Sequence, residues 1–238
     1  MKQEEINKFE KYAKKEFFYT EEIPSLLKKY LNKEEWFTLI DIGCGDGGLL
    51  YALKKHNLLK NKKIYATDLS WTRVKRVKEL DKSFICFVST ADDLKEIKSG
   101  AIDVIISTQV IEHVPDDEAM VKELSRILSR KGFIYLSTVF KKRWAWHFHR
   151  ANGHWALDPT HVREYTQEEQ LFTLFERYGL RIIEENKILF KFPLLNFILR
   201  YLNFNRNIYN NKILNFFRNI IKIPSFGYYW WEFIAKKQ

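Results

Sequence analysis

"LIDIGCGDGGLL", residues 39–50, has two readings. Gly43, Gly45 and Gly48 spell G-x-G-x-x-G, the spacing of a dinucleotide site. Asp41, Gly43, Gly45 and Gly47 spell D-x-G-x-G-x-G, which suits a different adenosine-bearing ligand. Glycines serve both, because in each case a strand turns sharply into a helix while the backbone passes close to the ligand. Asp41 separates the two. A carboxylate at the strand end repels a pyrophosphate and attracts a cationic amino-acid headgroup. Asp68, in "IYATDLS" about 20 residues further on, stands where an acid accepts both ribose hydroxyls of either ligand. Its structural alternative is to cap the helix that follows.

Outward from that loop, short apolar runs alternate with amphipathic stretches. "FTLIDIG", "KIYATDLS", "SFICFVST", "AIDVIIST" and "GFIYLSTV" read as strands; "GLLYALKKHNLL", "WTRVKRVKEL", "DEAMVKELSRIL" and "TQEEQLFTLFERYG" read as helices. Runs apolar on both faces, separated by helices, predict an α/β fold with a parallel sheet covered on both sides. "LRIIEENKILF" and "GYYWWEFIAKK" close the sheet as two sequence-adjacent strands, an antiparallel pair that the simple doubly wound dinucleotide pattern lacks. The first 35 residues read as a helical cap, with Ile23, Leu26, Leu27, Tyr30 and Leu31 at helix spacing behind Thr20 as N-cap.

A chain of 238 residues accommodates one such domain with an elaboration. With 46% hydrophobic and 29% charged residues it is globular rather than disordered. Cys44 and Cys86 form no C-x-x-C pair, which argues against a disulfide framework or a structural zinc and fits a reducing, cytoplasmic setting. "MKQEEINKFEKYAKKEFF" has no apolar signal core, and no run of about 20 apolar residues occurs. The net charge of +10 favours contact with phosphate or anionic lipid.

Residues 36–140 resemble the class I S-adenosylmethionine-dependent methyltransferases, above all the small-molecule group (methyltransferase type 11) that includes quinone-biosynthesis enzymes. "LIDIGCGDGG", "ATDLS", "VSTADDL" and "AIDVIISTQVIEHVPDDEAMVKELSRILSRKGFIYLS" agree with it in order and spacing. The resemblance implies a Rossmann-like doubly wound seven-stranded sheet with an antiparallel last pair. It implies S-adenosylmethionine as cofactor, with S-adenosylhomocysteine as product. Asp41 would then serve the amino group, with Gly43 and Gly45 beside the methionine part. Asp68 would hold the ribose, Leu69 would pack on the adenine and Ala91 would offer it a backbone N–H. Many relatives carry an acid just before that alanine; Thr90 stands there, leaving either Asp92 or a weaker contact for the exocyclic amine. Thr108 and Gln109 would line the cofactor near its methyl group.

Two stretches hold candidates for acid–base work, which methyl transfer to a hydroxyl requires. His113 lies in "IEHVPDD" after the fourth strand. Quinone O-methyltransferases resemble E-x-x-E-H there, used for a metal; Gln109 replaces the first Glu, so no metal is expected, and Glu112 with His113 is first read as orienting the loop. The second stretch is "RWAWHFHRANGHWALDPTHVREYT", residues 143–166, where the family carries an acceptor lid at about 141–165. His147, His149, His154, Asp158 and His161 match no zinc spacing. His161 is the first choice as general base and His113 the second. The alternative for His161 is a packed structural histidine. Arg163 would hold an anionic group or the segment's own backbone, and Trp146 and Trp155, with Trp144, would stack on a sugar, cover a lipid or pack the lid. Thr166 with Glu169 reads as a capping box.

The remaining organisation is a core over 36–191, a basic aromatic helical insertion over 192–226 and a last core strand at 227–238. Stripes at Asn196, Arg200, Asn203, Asn207 and Asn210, and at Asn211, Asn215, Arg218 and Lys222, are narrow polar faces on otherwise apolar helices. They suit peripheral membrane contact through 192–223, on the inner membrane face, or alternatively a helical cap or homodimer contact. The expected function is O-methylation of a small-molecule, glycan or lipid-linked acceptor. The alternatives are C-methylation of a quinone-like ring and RNA methylation. Nucleic acid is disfavoured: "STQVIEH" replaces the Asn/Asp-Pro-Pro-aromatic motif, and no cysteine follows the fourth or fifth strand.

Overall fold

A computed structural model describes residues 22–146, 149–151, 153–192 and 222–238, together with Glu10, Ala13, Leu194, Leu195, Ile198, Leu214 and Phe217. The run that opens the glycine loop is the strand β1, Thr38–Ile42. It pairs in parallel with β2 (Lys63–Asp68) on one side and with β4 (Ile102–Thr108) on the other. β3 (Ile85–Val88) lies outside β2, and β5 (Leu128–Lys141) lies beside β4, both parallel. The last two long strands are antiparallel, as their sequence adjacency predicts. β8 (Leu180–Phe192) forms the edge, and β9 (Ile223–Lys237) enters between β5 and β8. The order is β3-β2-β1-β4-β5-β9-β8. A small hairpin, β6 (His149–Ala151) with β7 (His154–Ala156), sits in the lid and was not legible as strands.

Five helices among the described residues cover the two faces: α1 (Ser25–Lys33), α2 (Gly48–Lys55), α3 (Trp71–Leu80), α4 (Asp117–Ile127) and α5 (Glu169–Arg177). β1 shows why the runs are apolar throughout. Leu39 packs with Leu50 and Leu53 of α2 and Val77 of α3, whereas Ile40 and Ile42 join Met120 and Leu124 of α4 and Phe175 of α5. Each fully buried side chain of this size contributes roughly 1.5–3 kcal/mol.

The structure revises several local readings. α1 begins after Pro24, and Thr20 lies outside the described residues. α3 is capped by Ser70, whose Oγ accepts from the Arg73 N–H at 3.2 Å, so Asp68 is released from capping. No capping box forms between Thr166 and Glu169. Instead the Gln170 side chain accepts from the N–H groups of Thr166 and Gln167 at 3.0 and 3.1 Å, because the turn carries one more residue before the helix. The last strand starts at Ile223, four residues earlier than read, and the rest of the basic aromatic segment lies almost wholly outside the described residues.

Candidate active site

β1 delivers Asp41 to the carboxyl ends of the parallel strands, between Ala66 of β2 and Ile106 of β4. Beyond it the N–H groups of Gly43 and Cys44 donate to the Thr67 carbonyl at 2.8 and 2.9 Å, which folds the loop back across β2. Gly43 has φ +71°, and a Cβ there would lie 2.3 Å from Val110 Cγ2. Gly43→Ala therefore combines left-handed strain with a steric clash, together on the order of 2–4 kcal/mol. A thermal melt should show the loss, and adding Val110→Ala should restore part of it. A Gly43→Ala protein as stable as wild type would refute this account of the turn.

Asp41 and Asp68 are both buried here. Asp68 is well partnered: Oδ2 accepts from Gly45 N–H and Oδ1 from Ser70 N–H, each at 3.0 Å, and Arg73 stands 3.5 Å away. Asp41 is not, and its buried Oδ1 has no partner. Burial, reinforced by the neighbouring Asp68, pushes its carboxyl up to about 7. A buried carboxyl with an orphaned oxygen suits a cationic ligand group, which would satisfy both the hydrogen bond and the charge.

The remaining predicted ligand contacts sit around the same strand ends. Leu69 follows β2 and is half-buried. Ala91 is buried in a turn closed by Asp93 N–H to the Thr90 carbonyl, with Asp92 half-buried beside it. Thr108 ends β4. Gln109, at φ +56°, holds a left-handed conformation costly for a non-glycine residue, fixed by its N–H to the Ser137 carbonyl at 2.8 Å.

The lid segment that follows β5 is built around a turn. Asp158 Oδ1 accepts from the N–H of Thr160 at 2.8 Å and from its hydroxyl at 2.5 Å, and the turn throws His161 inward. The Glu112 carbonyl then accepts from Val162 and Arg163 N–H, which ties the lid to the loop after β4. His161 is buried, and its Nδ1 lies 2.7 Å from Glu164 Oε1. Glu164 is fixed in turn by Leu157 N–H at 2.6 Å and by Lys141 Nζ at 3.4 Å. With Nδ1–H donated to a carboxylate, Nε2 is the basic nitrogen.

Both sequence-chosen histidines meet. The rings of His113 and His161 are edge to face with centroids 4.8 Å apart. His113 Nδ1 faces the Thr160 carbonyl and hydroxyl, each at 3.2 Å, and burial with the adjacent His161 lowers its pKa, so it is neutral at pH 7. Glu112 completes the group. Its Oε2 accepts from the Thr138 hydroxyl at 2.9 Å, its Oε1 is buried without a partner, and burial pushes it up to about 7 against the opposing pull of His161. One ligand atom from each of Glu112, His113 and His161 lies within 4.8 Å of the others, so the trio has the spacing of a cation site.

A cavity of about 500 Å³ lies within the lid, lined among others by Lys141, Arg143, Trp155, His161 and Thr166. None of the glycine-loop residues lines it. Trp155 meets Trp146 edge to face at 6.2 Å. Arg163 also borders the cavity, but its guanidinium donates to the carbonyls of Ile111, Val114 and Pro115, in the loop after β4 rather than in its own segment. Sequence reading missed Glu164, although its H-x-x-E spacing from His161 was the available signal.

Comparison with known proteins identifies the family and the fold. A model of the methyltransferase domain matches residues 10–185. An uncharacterised protein of Methanocaldococcus jannaschii is 35% identical over 122 residues, 51% of this chain and 48% of that one. A ubiquinone biosynthesis O-methyltransferase of Xanthomonas oryzae is 29% identical over 105 residues, 42% of each chain. The match thus spans about half or less of these relatives. The phosphoethanolamine N-methyltransferase 2 of Haemonchus contortus, solved with S-adenosylmethionine, shares the fold at a TM-score of 0.58 and 18% identity, over 90% of this chain and 52% of that one. With its D-x-G-x-G-x-G turn, its buried acid at the end of β2 and its antiparallel β8–β9 pair, the chain belongs to the methyltransferase-domain family, within the class I S-adenosylmethionine-dependent methyltransferases.

Proposed function

We propose that the protein transfers the methyl group of S-adenosylmethionine to a hydroxyl of a small-molecule, glycan or lipid-linked acceptor. When bound, the cofactor supplies an electrophilic methyl on a sulfonium leaving group and yields S-adenosylhomocysteine. Asp41 receives its amino group and Asp68 its ribose hydroxyls. Leu69, Ala91 and Asp92 face the adenine, and Thr108 and strained Gln109 border the reacting end. The orphaned Asp41 oxygen and the close glycine turn fit that ligand.

The observation that carries oxygen as the acceptor atom is the His161–Glu164 pair. A sulfonium needs alignment more than help, but a neutral alcohol needs a base. His161 Nε2 takes the hydroxyl proton as the new C–O bond forms and the C–S bond breaks, and Glu164 stabilises the resulting imidazolium. The test is methyl-labelled S-adenosylmethionine incubated with the purified protein and fractionated lipid, glycan, small-molecule and RNA pools, with and without EDTA. Label is expected as a base-stable methyl ether outside the RNA pool, and to persist in EDTA. Label in RNA alone would overturn the acceptor class. A second reading has one observation in its favour, the orphaned Glu112 Oε1 within the Glu112–His113–His161 trio. If EDTA abolishes labelling and a divalent cation restores it, the trio binds metal and His161 is a ligand rather than a base.

A further inference from the structure

The positive charge of the chain is not spread evenly. Residues 124–157 and 186–231 contain no Asp or Glu, and each stretch carries seven Lys or Arg. The other 158 residues hold 26 Lys/Arg against 30 Asp/Glu. The whole excess of +10 therefore comes from two stretches.

The fold brings their ends together at one place. Lys141, at the end of β5, pairs with Tyr228 of β9, and Phe192, at the end of β8, pairs with Ile223. The Lys142 N–H donates to the Gly227 carbonyl at 2.8 Å. Gly227 has φ +85°, and a Cβ there would lie 2.7 Å from Ala145 Cβ and 3.1 Å from the Trp144 ring, so the start of the lid rests directly on β9. At this junction Trp144 and Phe226 are each 69% exposed, Trp146 62% and Ile223 51%. Lys142, Arg143 and Lys222 are exposed beside them. Arg143 and Trp155 also line the lid cavity, so this surface surrounds the approach to His161.

Large aromatics held in water next to cations, with no acid in either stretch, match the chemistry of one environment, the interface of an anionic bilayer. We infer that this end of the molecule docks on a membrane surface rich in anionic phospholipid. Trp144, Trp146, Phe226 and Ile223 enter the interface, while Lys142, Arg143 and Lys222 meet headgroup phosphates. Among the described residues no helix is long and apolar enough to cross a bilayer. The inference concerns binding alone and stands or falls independently of the acceptor atom. If it holds, the lid cavity opens toward the bilayer and the acceptor is lipid-linked.

Vesicle co-sedimentation of the full chain, on phosphatidylcholine with and without phosphatidylglycerol, tests it. Wild type should pellet with the anionic vesicles and weakly with the neutral ones. Each cation near the surface contributes about fivefold, so Lys142→Ala/Arg143→Ala should weaken partitioning about 20-fold. Trp146→Ala should weaken it about tenfold, and thermal midpoints should show that both variants remain folded. Lys60 and Lys98 are exposed at the opposite end of the sheet, just before β2 and β4. Lys60→Ala/Lys98→Ala removes the same charge and should change binding less than about twofold. Equal losses from both double variants would reduce the effect to net charge and overturn the inference. So would a protein that ignores phosphatidylglycerol, a dimer dissociated by Trp146→Ala, or tighter Arg143-dependent binding to single-stranded RNA than to vesicles.

Discussion

Asp41→Asn should make the unliganded protein more stable at pH 8 while depriving it of its cofactor. The two effects have one cause. In the fold, burial and Asp68 push the Asp41 carboxyl up to about 7, whereas in the unfolded chain it ionises near 4. The sign follows from linkage. Below pH 4 both states are protonated and the group costs nothing. Between 4 and 7 the unfolded chain loses the proton while the folded one keeps it, so the penalty on folding grows, and above 7 it stays at its full size. That size is on the order of 2–4 kcal/mol, so the asparagine variant should melt roughly 5 °C higher at pH 8 and no higher near pH 4. Binding runs the other way. The proposed ligand amine needs the carboxylate, so wild-type affinity for S-adenosylmethionine should fall about tenfold per pH unit below 7 and level off above it. Asp41→Asn should bind about 10²-fold more weakly at pH 8, with little pH dependence. Calorimetric titration from pH 5.5 to 8.5 reads both quantities. An unchanged affinity with the same slope would place the amine elsewhere.

His161→Gln separates chemistry from binding. Glutamine still donates a hydrogen bond to Glu164, so the buried carboxylate keeps a partner, but it cannot take a proton. The turnover number should fall by about 10²–10⁴-fold, with cofactor affinity within about twofold of wild type. Glu164→Gln should cost at least about tenfold, because an amide no longer enforces the Nδ1–H tautomer or stabilises the imidazolium. At saturating S-adenosylmethionine, which removes the Asp41 contribution, loss of the acid limb of the acceptor kcat/KM pH profile in His161→Gln is the mark of a base, since a packing residue would leave that limb in place. If both variants turn over at the wild-type rate, His161 is structural.

Much of this was legible. Strands carrying Leu39–Ile42 or Val104–Ile106 are buried on both faces, so their composition alone identifies them. The distance of Asp41 and Asp68 from the glycines put both at the strand ends, where the structure buries them. The parts that were not legible depend on contacts far apart in sequence. Glu164 acquires a role only because the turn at Asp158 aims His161 at it. Arg163 looked available for an anionic ligand or for the backbone of its own segment, yet its guanidinium donates to three carbonyls of the loop at 111–115. The cap of α5 moved from Glu169 to Gln170 through one extra residue in the turn, a shift that propensity does not resolve. The early start of β9 at Ile223 is set by pairing with Phe192, a partner that no local window contains.

The insertion of β9 between β5 and β8 has a consequence for synthesis. During translation β5 and β8 both leave the ribosome first, and neither can pair with the other, because the strand that joins them comes later. Until Ile223–Lys237 emerges, two long strands offer bare edges, and the Lys142–Gly227 tie that seats the lid does not yet exist. The lid is therefore seated only after β9 has emerged, and a nascent chain waiting before that point presents two unpaired strand edges.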